Sequence, residues 1–133
     1  MGSHATKRNL LTDVEDQAAK HGMGAVLEGR FLREQLDAEG VGLSLQRIKP
    51  GQRVPFGHRH RRQEELYVVV RGGGRAKVED EVLELGQWDV LRVAAAAWRG
   101  FEAGPDGLDV IAFGAPAGGD RSEAETEMGW WAD

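Results

Sequence analysis

The sequence predicts an all-β fold, an antiparallel sandwich or barrel preceded by one short helix, and three observations predict it. Glycine makes up 19 of 133 residues, about twice its usual share of about 7%, and it supplies the positive φ that tight turns need. After Gly51, turn-forming residues recur every 8–14 residues. Between them lie short apolar runs rich in β-branched residues, the composition of strands.

The elements follow in order. Residues 1–9 are polar, and Met1-Gly2-Ser3-His4 lacks the apolar stretch of a signal peptide. Thr12 and Glu15 have the spacing of a capping box, Val14 and Ala18 share a helical face, and His21-Gly22 reads as a C-terminal stop. His21 then serves the helix dipole. Residues 41–48 read as a strand closed by Pro50-Gly51, and residues 66–70 as another, closed by a hairpin turn at Gly72-Gly73-Gly74. Arg75–Val78 pairs with Val82–Leu85 across Glu79-Asp80-Glu81. Strands at 89–93, 98–102 and 108–113 follow, the last two separated by Gly104-Pro105-Asp106-Gly107. Trp88 reads as core. The tail from Pro116 is Gly- and acid-rich, and Trp130-Trp131 should dock onto the barrel or a neighbouring subunit, since exposing both is costly.

A chain of this length holds one core. The expected division is a tail and short helix over 1–22 and a barrel with a C-terminal tail over 23–133. The net charge of −5 argues against a general nucleic-acid binder. With no cysteine, disulfides and thiolate chemistry are excluded. No apolar run approaches the length of a membrane span, so a cytoplasmic location without membrane partners is the expectation.

The chemistry-bearing stretch is Gly57-His58-Arg59-His60-Arg61-Arg62-Gln63-Glu64-Glu65. Alternate residues of a strand share a face, so His58 and His60 aim together while Arg59 and Arg61 point away. Glu65 opens the next apolar run, and a turn would bring its carboxylate beside the imidazoles. Two imidazole nitrogens and one carboxylate oxygen suit iron, manganese, nickel, zinc or copper. The plain alternative is a solvated basic loop.

This stretch resembles the first motif of the cupin superfamily, in which a glycine precedes His-x-His, then three or four residues, glutamate, six residues and glycine. Glu65 takes the ligand position and Gly72 the last glycine; six residues rather than five separate Gly51 from His58. The resemblance covers about Gly42 to Phe113, is nearest to the small single-domain "cupin 2" barrels of bacteria, and implies a jelly-roll β-barrel, a metal at His58, His60 and Glu65, and a homodimer to which Trp130-Trp131 could contribute. The second motif of the family departs here. Its Pro-x-Gly turn is Ala94-Ala95-Ala96, its histidine is Arg99 and its asparagine is Ala103.

Arginine has no lone pair to give a metal. At about 4 Å and an effective dielectric of about 20, it would repel a dication by about 8 kcal/mol. Two arrangements follow. In one, the trio holds a divalent transition metal and Arg99 binds an anionic small molecule beside it, with Tyr67 and Phe101 in the pocket, for oxygenase- or isomerase-type chemistry. In the other, Arg99 pairs with Glu65 and the barrel binds a sugar-like ligand without metal or catalysis. Tyr67 also fits an ordinary barrel-wall role.

Overall fold

The computed structural model describes residues 4–117 and 123–132. One short helix, α1 (Gln17–Lys20), precedes eight strands: β1 (Leu27–Phe31), β2 (Gly42–Ile48), β3 (Phe56–His60), β4 (Glu64–Val78), β5 (Glu81–Leu85), β6 (Val90–Val93), β7 (Arg99–Ala115) and β8 (Ala124–Met128). They form a curled antiparallel sheet in the order β1-β2-β7-β3-β8, with β4 pairing β5, β6 and β7. The fold is mostly β, as the sequence predicts. No described helix is long and apolar enough to cross a membrane.

Two long strands build the barrel. β4 pairs β7 from Glu64 opposite Ala115 to Val78 opposite Arg99. Fifteen residues of straight strand would span about 50 Å, more than the width of a domain this size, so β4 has to bend. It bends at the glycines expected to form a hairpin turn. A Cβ on Gly72 would lie 2.0 Å from the Gly107 carbonyl oxygen, at a φ of +74°, and one on Gly74 would lie 2.0 Å from that of Glu102. The triplet therefore permits close backbone approach, and the chain does not reverse there. Gly104-Pro105-Asp106-Gly107, likewise expected to divide two strands, lies inside β7. Gly72 faces Leu108 and Gly74 faces Ala103, so residues 104–107 stand against Gly73 alone and three residues are surplus on the β7 side, a bulge larger than the usual single residue.

Inward side chains of the two strands make the core, among them Tyr67, Val69, Ala76, Phe101, Leu108, Val110 and Ala112. Alternation puts Leu66 on the outside. The β4–β5 hairpin forms as predicted, Val78 facing Glu81.

Two expectations are corrected, and two strands were not foreseen. The helix is capped by Asp16, whose Oδ1 accepts from the N–H groups of Ala18 (3.0 Å) and Gly29 (2.9 Å), tying helix to β1. The Thr12–Glu15 box does not form, because Asn9 takes the Leu11 and Thr12 N–H groups into a turn. Trp88 is 68% exposed, not core, in left-handed backbone at φ +72°. Two strands went unpredicted: β1, interrupted by Gly29 and charged residues, and β8, exposed throughout and formed only by pairing with β3.

The tryptophan pair docks onto its own chain. Trp131 is buried, with the Arg53 guanidinium 4.3 Å from its ring centre and donating to its carbonyl. Trp130 stacks on Trp98 and covers Gly57, where a Cβ would come within 2.6 Å of the indole.

Candidate functional site

Three strands bring the polar residues together. β3 turns His58 and His60 toward the inside, and His58 stands opposite Arg99 of β7. Glu65 and Tyr67 lie on the inward face of β4. Glu64 faces out and pairs with Arg92 at 2.8 Å, so Glu65 is the inward carboxylate, as its spacing implied. One donor atom from each of His58, His60 and Glu65 lies within 4.8 Å of the others, and each imidazole Nε2 is 3.3 Å from Glu65 Oε1.

Arg99 is fully buried. Its Nη1 donates to Glu65 Oε1 at 3.0 Å and its Nη2 to the Ala94 carbonyl at 2.8 Å, while Nε has no partner. Of the placements open to it, the structure shows the pairing with Glu65, and Arg99 is not among the residues that line the cavity. The alanine run supplies carbonyls. Ala94 receives Arg99, Ala95 accepts the His60 N–H at 2.8 Å, and the turn closes by Ala97 N–H to Ala94. Tyr67 donates its hydroxyl to the same Glu65 oxygen. It too is buried, and it is not among the residues that line the cavity. Phe101 does line it and packs its ring on Tyr67 at 4.7 Å.

Burial works against ionising Glu65, but the His58 and His60 imidazoles and the Tyr67 hydroxyl outweigh it, and the carboxyl titrates well below the usual range. Burial pushes His58 down, only partly offset by Glu65. Burial and the Glu65 charge push Tyr67 well up, so it stays a donor. Near neutral pH the cluster holds one carboxylate, one guanidinium and a neutral His58. With Nε2–H toward the carboxylate, His58 keeps its lone pair on Nδ1.

Glu123 closes the far side of His60. Its Oε2 accepts from the N–H groups of Arg61 (2.8 Å), Arg62 (2.9 Å) and Gln63 (3.2 Å) and lies 3.7 Å from His60 Nδ1. The Arg62 N–H, with those of Gln63 and Arg61, holds this carboxyl below its ordinary value. Sequence reading missed it, because one acid in an acid-rich tail carries no periodic signal.

Beside the cluster opens a cavity of about 580 Å³, within the range of small-molecule sites. Leu27, Phe31, Val54, Phe56, Phe101 and Ala112 give it an apolar wall; His58, His60, Glu65, Gln46, Gln63 and Arg33 give it polar groups. His21, expected only as a helix cap, caps α1 through its N–H and also lines the cavity.

The fit to a metal is incomplete. The donors are of the right kind, and neither ring nitrogen of His60 has a hydrogen-bond partner. Yet the fourth position of the family pattern holds a guanidinium, and the carboxylate oxygen facing both imidazoles already accepts from Arg99 and Tyr67. As arranged, the three donors converge as a group that could hold a divalent ion, while Arg99 already supplies a positive charge against Glu65 Oε1.

Comparison with known proteins agrees with the fold. A cupin protein from Bacteroides fragilis superposes with a TM-score of 0.70 at 24% identity, over 90% of this chain and 91% of that one. A variant of oxalate decarboxylase from Bacillus subtilis superposes at 0.75 with 16% identity, over 96% of this chain but 34% of its own, so the present chain spans about a third of that protein. At these identities the likeness is one of fold. No curated protein sequence matches the chain. The cupin-domain family model matches residues 44–112, more than half of the chain, and the protein belongs to the cupin superfamily.

Proposed function

We propose that this cupin is a small-molecule-binding protein in which an Arg99–Glu65 ion pair takes the place of a metal beneath the cavity. The observation that carries the reading is the full burial of Arg99 with its guanidinium 3.0 Å from Glu65 Oε1. A buried charge is tolerated only when paired and hydrogen-bonded, so the two side chains define one another's position. The remaining polar groups orient a ligand whose body rests on the phenylalanine wall.

A second reading is favoured by the convergence of one donor atom each from His58, His60 and Glu65 within 4.8 Å, with neither ring nitrogen of His60 in a well-formed hydrogen bond. Under it, His58, His60 and Glu65 would hold a divalent transition ion, a Lewis acid for oxygenase- or isomerase-type chemistry.

A thermal-shift screen of small organic fragments run in EDTA distinguishes the two. Stabilising fragments are expected in chelator. Stabilisation seen only when Fe(II), Mn(II), Ni(II), Zn(II) or Cu(II) is supplied would support the second reading.

We further propose a homodimer through the outer face of the sheet, where Leu66 pairs laterally with Phe113 and Val68 with Val90. Leu66, Phe113 and Val90 are exposed large apolar residues on neighbouring strands.

A further inference from the structure

The cavity has an uneven charge, and that unevenness identifies a ligand class. Glu65 is the one carboxylate among the described lining residues, and Arg99 neutralises it from behind. The one permanently cationic side chain in the lining is Arg33. It is half-buried, its recorded contact is Nη1 to the Ala38 carbonyl at 3.4 Å, and it pairs with no carboxylate among the described residues. A surface arginine without a partner is ordinary. One that lines a cavity whose other charges cancel is not, because its field acts on whatever enters.

Its backbone is anchored by its neighbour. Leu32, next to it, is 2% exposed and donates its N–H to the Leu43 carbonyl at 2.9 Å. The side chains flanking this anchor, Phe31 and Arg33, both line the cavity, one apolar and one cationic. A guanidinium offers two parallel N–H donors to a carboxylate, a charge-assisted contact about twice as strong as a neutral one.

We propose that Arg33 selects the ligand and that the cavity takes a monocarboxylate with an apolar, ring-sized body. The carboxylate sits on Arg33, the body lies against Phe31, Phe56 and Phe101, and the end remote from the charge meets His58 and His60. A second anionic group is disfavoured there, since Glu65 faces that end and Arg99 is already committed to it. A cationic ligand is disfavoured by Arg33 itself. The inference rests on the ligand-binding reading of the cavity and goes beyond it in assigning charge and orientation.

Calorimetric titration with two probes tests it: naphthalene-2-carboxylate and the uncharged naphthalen-2-ylmethanol, of similar shape. The acid is expected to bind at least about tenfold tighter to the wild type, the size of a modest charge-assisted contact. Arg33→Gln should abolish that preference, and Arg33→Lys should keep part of it. Equal binding of the two probes, or a preference unchanged in Arg33→Gln, overturns the assignment of Arg33 while leaving the cavity a binding site. If neither probe binds at millimolar concentration, the ligand-binding reading falls and the inference with it.

Discussion

Removing one member of a buried ion pair leaves the other charged and dry, and for Arg99 and Glu65 that sets the size of the effect. Arg99→Ala is expected to destabilise the protein by about 3–5 kcal/mol. The double variant Arg99→Met/Glu65→Gln should recover more than half of this, and denaturant unfolding of the set reads the coupling. His58 gives the pH dependence. Its folded pKa lies below the ordinary 6.5, so the unfolded chain binds a proton that the folded chain rejects, and stability falls as pH drops through that value. Glu65 has the opposite origin and the same sign: its depressed pKa contributes stability above 4.5 that is lost only at lower pH. Between pH 7.5 and 5.5 the slope should therefore come from histidine. The melting temperature is expected to fall over that range, and to fall less in His58→Asn. At this scale the sequence was informative where chemistry is periodic. Strand alternation put His58 and His60 on one face, the motif spacing brought Glu65 to them from the next strand, and the three side chains converge. Glu123 and Arg33 were not legible, because each depends on which distant segment packs beside it, whereas the Arg99–Glu65 pairing was one of the two arrangements that the missing histidine left open.

The elements show what glycine signals mean in a curled sheet. A run such as Gly72-Gly73-Gly74 is consistent with a turn or with two backbones in contact, and local sequence does not separate these. Here the carbonyl oxygens of Gly107 and Glu102 decide for contact. Gly72→Ala is accordingly expected to lose about 2 kcal/mol or more, from the clash and from the positive φ together. Gly40→Ala, where a Cβ meets nothing within 4 Å, should stay within about 0.5 kcal/mol of wild type in the same chemical unfolding series. The strands with strong alternation, β2, β5 and β6, were readable within a residue or so. β8 was not, since its stability comes from the edge of β3 and not from any apolar side of its own.

For the whole molecule, the outer apolar face predicts association. Light scattering after size exclusion is expected to give a dimer, and Phe113→Glu, which puts a charge at the centre of that face, should give a monomer; a monomeric wild type would remove the proposal. The barrel itself was legible from the many short β-branched runs and from the likeness of the His-x-His stretch to a known family motif, although two of the glycine signals read as turns lie inside strands. What the barrel holds was less legible, because one substitution at position 99 changes the charge the site needs. Metal content after loading measures this most directly. Protein incubated with Fe(II), Mn(II), Ni(II), Zn(II) or Cu(II) and desalted is expected to retain well under one equivalent as wild type, and close to one as Arg99→His, which restores a fourth donor and removes the competing charge. One full equivalent in the wild type, lost in His58→Ala and Glu65→Ala, would contradict the ion pair as the metal's replacement.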